Sequence, residues 1–272
     1  MRLSGKNRAP QVRLVASTLL FGLVLAGCGQ SASSAGEAAV AAGSAYELVQ
    51  LERPEPPDGP FQVVKETAYK LCATIAELQH IPVKPFPKTP ADYATQRITV
   101  VTDGKSFMRK TEALYSADTS TITPERGCEY RITPSKAYNV TLVHDGKQTD
   151  INVGEDGKTT VDTTGAGSFA AASSASGETS QFSERRTVNG VNLRCWPKSH
   201  PMLADGSLLE MCVYEKDGVL TEVDQQAITL YSKARPAGND PRFQYVVIME
   251  PVSVRKLTEG ISKRFKAESY TQ

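Results

Sequence analysis

Residues 137–153 read AYNVTLVHDGKQTDINV. The residues on either side of Asp145-Gly146 suit strands, and the Asp-Gly pair supplies the positive φ angles that a tight hairpin needs. The same dipeptide recurs at Asp103-Gly104, Asp156-Gly157, Asp205-Gly206 and Asp217-Gly218. The turns at Asp145 and Asp156 are 11 residues apart and those at Asp205 and Asp217 are 12 apart, which is the spacing of an antiparallel meander. Working outward, strands are expected at 97–102, 105–115, 137–144, 147–153, 158–163, 187–196, 208–214, 219–223, 227–233 and 243–250. The stretch 165–183, GAGSFAAASSASGETSQFS, has little to bury and reads as a mobile loop between strands.

Two segments carry helical periodicity. Val64, Ala68, Leu71, Ile75 and Leu78 follow steps of 4, 3, 4 and 3, so they share one face of a helix of about four turns. Such a stripe must lie on something. Pro82, Pro85, Pro87 and Pro90 prevent its continuation. At the C-terminus Val254, Leu257, Ile261 and Phe265 share a face, with Arg255, Lys256, Lys263, Arg264 and Lys266 around them. That helix is expected to dock on the sheet with its charges in water; lying on an anionic membrane is the alternative. The fold class is therefore α+β, mainly β: a curved antiparallel meander sheet with one amphipathic N-terminal helix and a C-terminal helix packed on it.

The chain has 272 residues, with 31 basic and 30 acidic side chains. A balance of +1 offers no basic excess for nucleic acid. Three histidines nearly exclude a multi-histidine metal centre. Arg2, Lys6, Arg8 and Arg13 precede a 14-residue apolar run, Leu14 to Gly27, which is too short for a spanning helix and fits a signal-peptide core.

That run ends Leu25-Ala26-Gly27-Cys28, which resembles the lipobox of bacterial lipoproteins. The resemblance implies diacylglycerol transfer to the Cys28 thiol, cleavage after Gly27 and N-acylation of the new terminus. Gly29, rather than Asp, after the modified cysteine implies sorting to the outer membrane, with the body facing the periplasm. Residues 1–27 are then a signal peptide, and the mature chain carries 27 basic against 30 acidic side chains, a balance of −3. Residues 28–61 read as lipidated Cys, flexible tether and Pro-rich lead-in, and 62–272 as a single β domain.

With Cys28 assigned to lipid, Cys72, Cys128, Cys195 and Cys212 remain. An even count in an exported chain suggests disulfides, and four cysteines allow three pairings. Cys195 and Cys212 fall on adjacent expected strands, which favours that bond; Cys72 with Cys128 follows by elimination.

Signals for chemistry are weak. Gly165-Ala166-Gly167-Ser168-Phe169-Ala170 matches a dinucleotide-binding pattern but lacks the helix and parallel strand that the mechanism needs. His200 reads as a loop histidine and Trp196 as core. Asp150, Glu155, Asp156 and Asp162 read as a solvated turn rather than a calcium loop. No cofactor is expected. In outline, many strands and a long helix on an anchored chain are similar to the lipoprotein-carrier and lipid-binding folds of the bacterial envelope. That likeness implies an apolar ligand or acyl chain in a groove between sheet and helix, with the stripe from Val64 to Leu78 as one wall. A structural or assembly lipoprotein, pairing with an envelope protein through exposed strand edges, is the alternative. A hydrolase using His200 and Asp205 near Cys195 is a third reading.

Overall fold

The computed structural model describes residues 45–57, 60–119, 127–165, 181–215, 228–236 and 245–271. The expected signal peptide, the lipobox-like run with Cys28, the expected tether to residue 44, most of the expected loop 165–183, the expected turn at Asp217-Gly218 and the expected strand 219–223 lie outside the described residues. Within residues 60–64 the backbone alone is described, so the side chain of Val64 also lies outside.

The strands among the described residues are β1 (Ala45–Glu55), β2 (Gln96–Thr102), β3 (Phe107–Ala113), β4 (Tyr115–Thr119), β5 (Tyr130–Pro134), β6 (Tyr138–His144), β7 (Lys147–Val153), β8 (Thr159–Gly165), β9 (Glu184–Val188), β10 (Val191–Cys195), β11 (Leu208–Tyr214), β12 (Thr229–Ala234) and β13 (Val246–Leu257). The helices are α1 (Pro60–Leu78) and α2 (Ile261–Arg264). Eleven strands form one open antiparallel sheet in the order β8-β7-β6-β3-β2-β1-β13-β12-β11-β10-β9. β4 and β5 form a separate hairpin.

The centre of this sheet is β1, which falls in the segment expected to be lead-in. Its neighbours are β2 and β13, both antiparallel. The body therefore includes residues 45–55, and the boundary expected at residue 62 is corrected. Proline content dominated the reading of YELVQLERPE, yet Tyr46, Leu48 and Gln50 alternate with Ala45, Glu47 and Val49 as a strand buried on both faces requires. Pro54 is tolerated because β1 pairs with β2 only as far as Glu52 and from there has one neighbour.

The four Asp-Gly pairs among the described residues work as turns. Asp145 and Gly146 have φ of 50° and 69°, and the two residues join His144 to its partner Lys147. Gly104, Gly157 and Gly206 also have positive φ. One hairpin signal went unread: Asn189 and Gly190, at φ 49° and 78°, split the expected strand 187–196 into β9 and β10.

Two apolar layers hold the sheet. On one face Tyr46, Leu48, Ile98, Val100 and Phe107 join Leu193, Cys212, Leu230 and Ile248 in a single buried cluster. No described side chain of α1 belongs to it. On the other face Val101, Met108, Val140, Leu142 and Ile151 are capped by Phe265, with Ile261, Ala267 and Tyr270 around it. The Tyr138 hydroxyl donates to the Tyr270 carbonyl at 2.9 Å, and the Tyr270 hydroxyl to the Arg264 carbonyl at 2.9 Å. The C-terminal segment is thus docked, as expected. Its helix is shorter than expected, because Val254 and Leu257 belong to β13. Buried Glu47 of β1 ties the segment to the centre, since Arg255 reaches it at 2.6 Å and Arg264 at 3.2 Å.

Candidate docking helix

The row of α1 that meets the body is not the apolar stripe. Lys65 and Ala76 are buried, and Tyr69 and Cys72 are half-buried between them. This row has the same 4, 3, 4 spacing, displaced by one residue and hence by about 100° around the helix. Leu71 is 64 %, Ile75 36 % and Leu78 77 % exposed, and Ala68 is exposed as well. The stripe expected to wall a groove faces water; that expectation is corrected. Charged Glu66, Lys70 and Glu77 occupy the remaining arc.

Three contacts select the inward row. Cys72 is bonded to Cys128 with Cα atoms 5.8 Å apart. The Tyr69 hydroxyl donates to the Lys84 carbonyl. Beneath the helix lies an aromatic bed: the Tyr69 and Phe86 rings are 5.1 Å apart, Phe86 and Tyr130 5.1 Å, and Tyr93 and Tyr115 6.5 Å. Its members come from four separate segments, so no local pattern announces it.

The helix ends before the prolines act. His80 adopts φ 56°, the Ile81 amide donates to Ala76 at 2.8 Å and the His80 amide to Glu77 at 3.1 Å, which together make a Schellman stop. Residues 81–86 then run beside Cys128, whose amide donates to the Pro82 carbonyl and whose carbonyl accepts from the Lys84 amide, each at 2.9 Å. Gly127 has φ +67°, and a Cβ there would collide with the Pro82 carbonyl oxygen. A side chain at 127 would push this strap away from its disulfide.

Lys65 is the unusual charge of the bed. It is 9 % exposed, its Nζ lies 2.8 Å above the Tyr93 ring centre, and burial pushes its ammonium down to about 8. Burial, and then the hydrogen bond with Tyr93, push the Tyr130 phenol up. The unfolded chain keeps the lysine proton to its ordinary value of 10.5, whereas the folded chain releases it near 8. Between those values the unfolded state binds more protons, so stability rises with pH. Above about 10 the buried tyrosines reverse the trend, since the unfolded phenols ionise first. Urea titrations stepped from about pH 7 to about pH 10 are expected to show a gain on the order of 1–3 kcal/mol, and Lys65→Met is expected to flatten it. An equal gain in the variant would assign the effect elsewhere.

The other expected residues are placed as follows. Cys195 and Cys212 are cross-strand partners on β10 and β11 and are bonded, with Cα atoms 4.0 Å apart. Both favoured disulfide pairings are therefore present. His200 stacks on Trp196 at 4.0 Å; its Nδ1 accepts from the Met202 amide and its Nε2 meets the Gln181 carboxamide oxygen at 3.2 Å. Asp205 accepts from the Ser207 amide and hydroxyl. These are turn roles. Trp196 is buried against Phe182 and Val213. Asp150 accepts from Thr141 and Gln148, each at 2.7 Å. Glu155 is held by Ser135 and Lys136, and Asp156 by Lys158. Among the described residues, no three His, Cys, Asp or Glu side chains form a group able to hold a metal ion.

Sequence reasoning passed over one further arrangement. Ser106 Oγ lies 2.8 Å from His144 Nδ1, and His144 Nε2 lies 3.4 Å from Asp145 Oδ2, beside a recess of about 210 Å³ under Phe265. The residue types are those of a nucleophile, a base and an orienting acid. Their placement is not: Ser106 is buried and does not line the recess, while the Asp145 carboxylate is 84 % exposed. The contact fastens two hairpin ends.

The sheet edges differ from each other. All seven residues of β8, TTVDTTG, are exposed. β9 carries Glu184, Arg185 and Arg186, with Arg186 paired to Glu210 and Arg185 to Glu215, and such charges blunt an edge. The chain matches no family model, no curated protein and no solved structure.

Proposed function

We propose that this chain is a lipid-anchored lipoprotein of the bacterial envelope, held at the outer membrane through acylated Cys28, which works without catalysis by docking a protein partner on the outward stripe of α1. The observation that carries the reading is the exposure of Leu71, Ile75 and Leu78 on a helix fixed by a disulfide. Contiguous exposed apolar side chains on a soluble body mark an interaction surface. Two disulfides fit an oxidising compartment outside the cytoplasm. The groove reading has less support, because the stripe that was to line the groove points the other way.

A photo-crosslinking residue at Leu71 or Leu78 tests this in intact cells. Discrete protein adducts are expected at both positions, and Leu71→Glu should remove the adduct at Leu78 while shifting stability by only about 0.5 kcal/mol. Lipid adducts alone, or none, would overturn the reading. The second reading, partner pairing along the unpaired edge of β8, rests on the exposure of that strand. The same probe at Val161, 52 % exposed, reads it in parallel.

A further inference from the structure

We infer that the bond between Cys72 and Cys128 is a redox switch: a dithiol opens it in the folded chain while the bond between Cys195 and Cys212 stays closed, and opening it frees α1 from its bed. The inference concerns the chain's own fold and does not rest on the docking reading above.

The two bonds differ first in access. Cys195 is 7 % exposed and Cys212 0 %, and both belong to the buried cluster on one face of the sheet. A further strand flanks each of them, since Cys195 faces Glu184 of β9 and Cys212 faces Tyr231 of β12. Cys128 is equally buried, but Cys72 is only half-buried on its helix. The Cys72 side chain leans toward the preceding turn. Its neighbours there are Ala68, which is exposed and offers only a methyl group, and Tyr69, whose ring packs on Phe86. An incoming thiolate therefore has one sulfur to reach, that of Cys72, and exchange follows access.

The bonds differ also in what keeps their cysteines together once they are open. Cys195 and Cys212 are register partners on strands that are each paired again on the other side, so their thiols stay side by side and close again. Cys128 stays in place too, because its amide and carbonyl are bonded to Pro82 and Lys84 of the strap. Cys72 stays beside it only while α1 stays down. The contacts that favour this include Lys65 over Tyr93, the Tyr69 hydroxyl on the Lys84 carbonyl and the Tyr69 ring on Phe86. A helix of 19 residues is marginal by itself in water. Its departure lowers the effective concentration of one thiol about the other, and that favours the reduced pair.

The step is a thiol–disulfide exchange. One thiolate of the dithiol attacks Cys72 Sγ. The bond to Cys128 Sγ breaks, and that sulfur leaves with the electron pair and takes a proton from water. The second thiolate of the dithiol then attacks its own first sulfur and displaces Cys72 Sγ, which is protonated in turn. The chain's disulfide is reduced to a pair of thiols, and the dithiol is oxidised to its disulfide.

The test places the full chain, folded and oxidised, in buffers with stepped ratios of reduced to oxidised dithiothreitol. Samples are quenched with N-ethylmaleimide and mapped by mass spectrometry, and amide exchange is followed at each ratio. Cys72 and Cys128 are expected to be alkylated at ratios severalfold lower than Cys195 and Cys212. Amides of α1 should lose protection in step, with β2 and β3 unchanged, and regain it on return to oxidised dithiothreitol. Tyr69→Phe keeps the ring and removes the hydrogen bond to the Lys84 carbonyl. It should move the midpoint for Cys72–Cys128 roughly fivefold toward reduction, the fold-change of one hydrogen bond, and leave that for Cys195–Cys212 in place. Four results would each overturn the inference: Cys195–Cys212 opening first or at the same ratio, α1 protection unchanged by reduction, protection lost from β2 and β3 along with α1, or an unmoved midpoint in Tyr69→Phe.

Discussion

Cys28→Ala is expected to move the protein from the membrane fraction to the soluble fraction and to abolish palmitate labelling. On the proposed reading the thiol is the atom to which diacylglycerol would be joined and the amine exposed by cleavage would take a further chain, so one substitution would remove every acyl group. Each buried methylene contributes about 0.8 kcal/mol, and a single chain gives only marginal attachment whereas several give a stable one. No described helix is long and apolar enough to cross a membrane and compensate. The exposed Lys256, Lys263 and Lys266, set against Glu259 and Glu268, would provide only a weak attraction that salt screens. Fractionation at high salt with metabolic palmitate labelling decides the matter. A variant that still labels and sediments with membranes would show that the anchor lies elsewhere.

Cys128→Ser is expected to release α1 while leaving the eleven-stranded sheet folded. The bond closes a loop of 56 residues, for which chain entropy predicts about 4 kcal/mol. The contacts that remain without it include the Tyr69 hydrogen bond, the Lys65–Tyr93 contact and the edge of the Tyr69 ring on Phe86. An isolated helix of 19 residues is marginal in water. Hydrogen exchange should therefore show α1 amides losing protection severalfold more than those of β2 and β3. The adducts at Leu71 and Leu78 should weaken with them, because a frayed helix no longer presents its row. Cys212→Ser should behave differently: its bond spans 17 residues between strands already in register, so a loss of about 3 kcal/mol would fall on the whole sheet. Unchanged protection of α1 in Cys128→Ser would mean that the aromatic bed alone holds the helix.

Most of the meander was legible because its signals are local. An Asp-Gly pair needs no distant partner to prefer a hairpin, and β7 and β11 span the same residues that their patterning predicts. The bond between Cys195 and Cys212 was readable for the same reason, since adjacent strands place them side by side. Where local signals competed, the reading failed. Pro54, Pro56 and Pro57 masked the alternation of β1, and an Asn-Gly turn was passed over inside an otherwise plausible strand. In the C-terminal segment helical spacing and strand patterning overlap, and Val254 and Leu257 went to the strand because β1 was there to pair with them.

For α1 the division is sharper. Its first turn, from Pro60, falls in the segment expected to be lead-in, whereas its existence, its last residue at Leu78 and the presence of an apolar row follow from residue spacing. Which row turns inward does not, because two rows at 4, 3, 4 spacing lie one residue apart and each is largely free of charge. The choice was made by groups far away in the chain: Cys128 for Cys72, the Lys84 carbonyl for the Tyr69 hydroxyl, and the Tyr93 ring for Lys65. A covalent bond and an aromatic bed outweigh the burial of three aliphatic side chains, which together would contribute roughly 5 kcal/mol. That balance is non-local, so it turned a presumed groove wall into an outward face only when the tertiary contacts were in place.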